Sequence, residues 1–261
     1  MYLKRAVIFG KKPYSALALK FLLDQNIIIP FVVAPVKEDY KITLSSLAKL
    51  HNIPVFSNDT QVYKMTVRND PLAKNIDLVI SYLYWKRLKM PLIRLGKLGC
   101  INFHPAPLPE YKGRAGYNTA ILDNKKYFGV SAHYVDSEEF DSGPIIKVIK
   151  FKIDPDKENA HSLEAKTQKK LFELFKYIID TTNKKTKFTV SKNSGGTYLS
   201  TPQLESLKLV DLKNDSPDII NRKIRAFFFP PYSGAKIEVK GQEYTLINEE
   251  ILRYIKKQMK Q

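Results

Sequence analysis

Apolar residues fall along this chain in short runs, and the stretches between them carry helical periodicity. Ala6 to Gly10 is one such run, broken by Gly-Lys-Lys-Pro-Tyr-Ser before a helical stretch from Ala16 to Leu23. Ile27 to Pro35 reads as a second strand, Ile42 to His51 as a helix and Pro54 to Phe56 as a third strand. Asp77 to Ser81 and Gly99 to Phe103 read as strands four and five. Strands alternating with helices predict a doubly wound, mostly parallel sheet of the α/β class.

The pattern then changes. Tyr117 to Asp123 reads as a helix, and Gly129 to Val135 with Pro144 to Ile153 as strands of one antiparallel edge. Asn159 to Asp180 is the longest amphipathic stretch, with Leu163, Leu171, Leu174, Phe175 and Ile178 on one face. The polar run Thr181 to Lys187 marks a boundary, giving a first domain of residues 1–182 and a small C-terminal α+β subdomain of residues 183–261. That subdomain has too few residues for a large core of its own and is expected to lean on the first. Gly195 and Gly196 sit in a loop there, and Ser216 with Pro217 caps a helix through Ile220, Ile224 and Phe227 that ends before Pro230. Ala235 to Val239 and Tyr244 to Ile247 read as a β-hairpin, and Asn248 opens a last helix with a lysine-rich end.

Composition narrows the function. No apolar run approaches the roughly 20 residues of a membrane span, and the hydrophobic fraction of 44% is ordinary. The N-terminal MYLKRAVIFG has no small-residue cleavage site and reads as a first strand, not a leader. A single cysteine, Cys100, allows no internal disulfide and no zinc cluster, which suits a reducing cytoplasm. Lys and Arg number 43 against 26 Asp and Glu, a net charge of +17. Such a surplus attracts anions without choosing among nucleotide phosphates, polyglutamate tails, nucleic acid and acidic lipid.

The candidate chemistry lies between Gly99 and Ile146. Asn102 and His104 stand two residues apart on the fifth strand, so they share a face while Ile101 and Phe103 turn to the other. Pro105 and Pro107 end the strand at once, which leaves the pair at a strand mouth, where open α/β sheets bind ligands. Asp141 follows in the loop after the Gly129 to Val135 strand. Taken singly, Asn102 also fits a turn residue, His104 a packed histidine and Asp141 a turn carboxylate. Together they supply an amide, an imidazole and a carboxylate with no Ser or Cys nucleophile, no acid pair and no third metal ligand. That set suits direct acyl transfer to an amine carried by the substrate. Asn102 and protonated His104 would stabilise the oxyanion, each such donor contributing roughly 10²–10³ in rate, and His104 held by Asp141 would shuttle the amine proton.

The N-x-H pair, followed by P-x-x-L-P-x-Y-K-G and by H-Y-V-D-x-x-x-D-x-G-P-I-I, resembles the folate-dependent formyltransferases. These enzymes move a formyl group from N10-formyltetrahydrofolate to an amine. The likeness spans Met1 to Asp180 in layout and is dense from Ile101 to Ile146. It implies a Rossmann-like formyltransferase fold, N10-formyltetrahydrofolate as co-substrate, no metal, and Asn102, His104 and Asp141 as the catalytic set. Ser81, Tyr82, Leu83, Tyr84 and Trp85, with Val135, Asp136 and Phe140, match the walls of the family's folate pocket. Tyr82, Tyr84 and Trp85 fit plain packing equally well.

Within the family, the glycinamide ribonucleotide enzymes normally stop near the end of the first domain. The methionyl-tRNA enzymes carry a longer C-terminal barrel and a different loop. The loop A-P-L-P-E-Y-K-G-R-A-G-Y-N looks more like the sugar N-formyltransferases, as do G-G-T-Y at Gly195 to Tyr198 and the Arg222 to Ala235 stretch. By that resemblance the acceptor is a nucleotide-linked amino sugar, a dTDP-4-amino-4,6-dideoxyhexose or similar with UDP and GDP as the other carriers, made for O-antigen or related glycans. Lys11 and Lys12 would take the diphosphate, Arg114 the sugar or phosphate side, and Arg225, Phe228 and Tyr232 the base or sugar end, with Tyr14 and Tyr117 completing the set. The partners expected are this sugar nucleotide and folate, with no membrane, nucleic acid disfavoured and a homodimer left open. Two alternatives stand beside it: a methionyl-tRNA formyltransferase, and a basic nucleic-acid-binding protein without catalysis.

Overall fold

The computed structural model describes residues 3–184 and 186–259. Its first half alternates β1 (Ala6–Gly10), α1 (Pro13–Asp24), β2 (Val32–Val33), α2 (Leu44–Leu50), β3 (Val55–Phe56), α3 (Thr60–Val67), β4 (Leu78–Tyr82) and β5 (Cys100–His104). The chain continues through β6 (Tyr111–Lys112), α4 (Gly116–Leu122), β7 (Tyr127–Tyr134), β8 (Ile145–Lys152) and α5 (Ala160–Asn183). It ends with β9 (Thr197–Tyr198), α6 (Thr201–Ser206), α7 (Pro217–Phe227), β10 (Lys236–Val239), β11 (Gln242–Thr245) and α8 (Glu249–Gln258).

A seven-stranded sheet in the order β3-β2-β1-β4-β5-β7-β8 forms the centre. β1 to β5 run parallel, β7 is antiparallel to β5, and β8 is antiparallel to β7. Helices cover both faces. On one face Ile8, Ile80 and Phe103 pack with Leu19 of α1 and with Leu171, Leu174, Phe175 and Ile178 of α5. On the other, Val7, Phe9, Val79 and Cys100 pack with Val62 of α3, Leu92 and Ile93. Burial pushes the Cys100 thiol far above its usual pKa, so this sulfur is an inert core group. A third core joins Tyr111, Ile121, Phe128 and Leu163 to Val210, Ile224, Phe227 and Ile251 from the C-terminal segment. Val210, Ile224, Phe227 and Ile251 therefore close a core that they share with the sheet-bearing part.

Local sequence accounts for most element starts. Asn159 and Ser162 exchange side-chain and backbone hydrogen bonds at the start of α5, as Thr43 and Ser46 do at α2. Ser216 and Asn248 cap α7 and α8 with their side chains. The hairpin forms with β10 and β11 joined through Lys240 and Gly241, both at positive φ.

Several bounds differ from the periodicity. Between Ile27 and Pro35 only Val32–Val33 forms strand pairs, because Pro30 and Pro35 lack the N–H that a ladder requires. α1 begins at Pro13, not Ala16, since proline is tolerated in the first helical turn. α5 runs to Asn183, so Thr181 and Thr182 of the expected boundary are helical, and Lys185 lies outside the described residues. α3, α6, β6 and β9 were not anticipated. No helix among the described residues is long and apolar enough to cross a membrane.

Candidate active site

β5 presents Asn102 and His104 on one side while Ile101 and Phe103 enter the first core. Asn102 is in register with Ser81 of β4 and His133 of β7. Antiparallel partners on one face have Cβ atoms about 5 Å apart, and Asn102 Nδ2 lies 3.0 Å from His133 Nε2. His133 Nδ1 is 2.8 Å from the Tyr134 carbonyl, so Nδ1–H donates there and Nε2 accepts from the Asn102 amide. Asn102 also donates to Asp141 Oδ1 at 3.2 Å. His104 Nδ1 stands 3.4 Å from the same oxygen, and His104 Nε2 donates to the Tyr111 carbonyl at 2.8 Å. Gly113 N–H donates to Asp141 Oδ2 at 2.9 Å.

Asp141 is buried, which by itself raises a carboxyl pKa. The charge of His104 is the largest opposing effect and the Gly113 N–H adds to it, so the group is held well below the usual carboxylate range. Its backbone has φ 48°, in the left-handed region. Asn193, from the segment after α5, holds that turn by donating to the Asp141 carbonyl at 2.8 Å and the Gly143 carbonyl at 2.9 Å. Ser191 exchanges two backbone hydrogen bonds with Ile145 just beyond.

These groups open onto a cleft of about 420 Å³. Lys11, Lys12, Ser81, Leu83, Tyr84, Trp85, Arg114, Tyr117, Val135, Phe140 and Tyr232 line it, around Asn102, His104 and Asp141. Tyr84 and Trp85 pack against one another at 4.7 Å, the Trp85 carbonyl accepts from Arg114, and the Arg87 guanidinium covers the Phe140 ring. Lys11 has its pKa lowered, first by burial and then by Lys12 and Arg114. Lys12 pairs with Glu164 and lies 5.4 Å over the Phe229 ring.

Five expected residues lie elsewhere. Tyr82 is fully buried, stacked on Phe103 and edge-on to Phe175, because the alternation of β4 turns it into the first core. Tyr14 packs against Phe172 of α5. Asp136 stands behind the loop beside Gly143. Arg225 is buried outside the cleft lining, donating to the Pro155 carbonyl and facing Asp156 and Glu250. Phe228 lines a separate cavity of about 170 Å³ and meets Tyr254 edge-on.

The cleft also holds His133, Glu164 and Gln168, and Asn193 braces its Asp141 turn, four residues outside the sequence expectation. His133 stood in the quoted H-Y-V-D run, and its pairing with Asn102 needed only the register of β7 against β5. Glu164 and Gln168 are one turn apart on α5, within a helix read only for its apolar face. Asn193 carried no signal in the sequence. Among the described residues no three His, Cys, Asp or Glu side chains are placed to hold a metal ion.

Known proteins resemble the chain along most of its length. A methionyl-tRNA formyltransferase from Pelagibacter ubique is 26% identical over 95% of this chain and 81% of its own. The chain spans 58% of the methionyl-tRNA formyltransferase of Kosmotoga olearia, at 29% identity over 70% of this chain. A GDP-perosamine N-formyltransferase from Brucella melitensis is 26% identical over 80% of this chain and 78% of its own. The solved 4-N formyltransferase of Francisella tularensis superposes with a TM-score of 0.76, at 23% identity, over 95% of this chain and 98% of that one. An N-formyltransferase from Helicobacter canadensis, in complex with folinic acid and dTDP-3-aminofucose, superposes with a TM-score of 0.72 at 22% identity over 95% and 89%. The family model for formyl transferases matches residues 27–178, from the approach to β2 through the Asn102, His104 and Asp141 cluster into α5, and the chain belongs to the formyl transferase family.

Proposed function

We propose that the protein transfers a formyl group from N10-formyltetrahydrofolate to the amine of a nucleotide-linked amino sugar. The observation that carries this reading is the junction of Asn102, His104 and Asp141 through one carboxylate oxygen at the floor of the cleft. A flat bicyclic ring fits the wall built by Leu83, Tyr84, Trp85, Val135 and Phe140, whose surfaces are apolar or aromatic. Lys11, Arg114 and the rim near Tyr232 offer the cationic and aromatic groups that a nucleoside diphosphate requires.

In this mechanism the acceptor amine attacks the formyl carbon. The Asn102 amide donates to the oxygen as it becomes negative, which lowers the barrier because the donor is already oriented by β5. His104, fixed through Nε2 on the Tyr111 carbonyl, receives the amine proton at Nδ1, where Asp141 holds the imidazolium. The proton then passes to N10 as the bond from N10 to the formyl carbon breaks, leaving a formamide and tetrahydrofolate. Asp141 works as an anchor and not as the base, since its low pKa makes it a poor proton acceptor.

The GDP-perosamine enzyme among the relatives and the dTDP-aminofucose complex among the structures support a sugar acceptor. The methionyl-tRNA relatives and the +17 charge favour a second reading, tRNA formylation. The deciding experiment incubates the protein with formyl donor and, separately, dTDP-, UDP- and GDP-linked amino sugars and methionyl-tRNA. Formylation of a sugar by mass spectrometry, without tRNA formylation, is the expected result. Formylation of methionyl-tRNA alone, with tRNA binding that weakens steeply as salt rises, would reverse the assignment.

A further inference from the structure

Gln168 takes no part in the transfer step described above. Gln168 sits on the buried stripe of α5 and is only 5% exposed, yet it lines the cleft. Neither its Nε2 nor its Oε1 has a hydrogen-bond partner among the described residues. A buried amide left unpaired is costly, so it persists where something other than the fold rewards it. The neighbours define what that is. Glu164 lies one turn earlier on α5 and is neutralised by Lys12, and Lys12 covers the Phe229 ring. Tyr117 of α4 faces the same corner. Burial drives its hydroxyl pKa well up and Glu164 adds to the rise; the Gln168 side chain opposes it across a contact too long to count as a hydrogen bond, so the two polar groups flank the same unfilled space.

A ligand group here meets a paired cation and anion, so it carries no net charge of its own. A phosphate or carboxylate would stand beside Glu164 with its charge uncompensated; Lys11 and Arg114 serve such groups elsewhere in the cleft. An amide offers one acceptor and two donors, and the small neutral group that answers both is a hydroxyl, which donates to Oε1 and accepts from Nε2. The folate wall, built from Leu83 to Trp85 and Val135 to Phe140, comes from other elements. We infer that Gln168, with Tyr117 beside it, is the specificity residue that reads a ring hydroxyl of the acceptor sugar. This rests on the sugar-acceptor reading and names the residue that selects within that class.

The test is Gln168→Met, which keeps the volume and removes both polar atoms, with Gln168→Glu as the second variant, which keeps the shape and loses the donors. For the sugar nucleotide that the wild type formylates, KM should rise roughly tenfold or more in both variants, while KM for the formyl donor stays unchanged. The Tm of ligand-free Gln168→Met should hold or rise by roughly 2–4 °C, because the unpaired amide is gone. Among monodeoxy versions of that sugar, at least one should bind wild type as weakly as Gln168→Met binds the parent, with no further loss in the variant. An unchanged acceptor KM, an equal rise in donor KM, or a fall in Tm, as a structurally bound water would cause, overturns the inference. If the wild type formylates none of the sugars, the acceptor reading fails instead, and the Tm comparison alone decides whether Gln168 is an unpaired ligand-facing amide.

Discussion

In the proposed mechanism Asn102 does two jobs that pull on the same atom. Its Nδ2 bridges His133 and Asp141 in the structure, and the same N–H groups must turn to an oxyanion during transfer. Replacing it with Ala should therefore lower kcat by roughly 10²–10³. Tm should stay within a few degrees, because the residue is only half-buried and His133 and Asp141 keep other partners; a variant that unfolds would show that the amide is there for packing. Asp141 behaves differently. Its folded pKa lies below the unfolded value of about 3.9, so it contributes stability that is fully present above that value and is lost as pH falls through the folded one. Asp141→Asn should accordingly melt below wild type at pH 7, and the gap should close as pH drops below the ordinary carboxylate range. A gap that is constant with pH would mean that the carboxylate charge contributes nothing to the fold.

The candidate site around Asn102, His104 and Asp141 is held by a segment that contributes none of those three groups. β9 pairs with β6, whose Tyr111 carbonyl orients His104, and Asn193 ties down the turn that carries Asp141. Gly196 permits this docking: at φ +83°, a Cβ there would lie 1.5 Å from the Pro109 carbonyl oxygen. Gly196→Val should displace β9, and Asn193→Ala should free the Asp141 turn. Both should lower kcat by roughly 10-fold or more while leaving binding of the formyl donor nearly intact; if KM for the donor rises instead with kcat preserved, the segment shapes the pocket and not the catalytic geometry. The sequence showed the glycine pair at Gly195 and Gly196 and the G-G-T-Y run, but not the pairing they permit. β6 and β9 are two residues long, so their existence depends on a partner more than 80 positions away and leaves no periodic trace. β5 could be read because alternation, a following proline pair and the N-x-H spacing all act within one short stretch. The caps at Ser216 and Asn248 were equally local. Tyr82, at a strand end, suits a pocket wall and a core alike, and its alternation with Leu78 and Ile80 on β4 decides for the core.

For the whole molecule the question is whether residues 183–261 form a unit of their own. We propose that the division near residue 182 is one of function and not of folding. The third core takes Tyr111, Ile121, Phe128 and Leu163 from one side of that division and Val210, Ile224, Phe227 and Ile251 from the other. Burying the latter four side chains contributes roughly 6–12 kcal/mol at about 1.5–3 kcal/mol each. A typical domain is stable by only about 5–15 kcal/mol in all, so losing this contribution consumes most or all of the margin. A chain ended after Asn183 also leaves the Asp141 turn and β6 without their braces. Such a fragment should bind a hydrophobic dye, aggregate and show no sharp melting transition, even though it retains the sheet, Asn102, His104 and Asp141. A fragment that instead melts cooperatively near the full-length Tm would show that the sheet carries its own stability, and that the C-terminal segment only steadies the site.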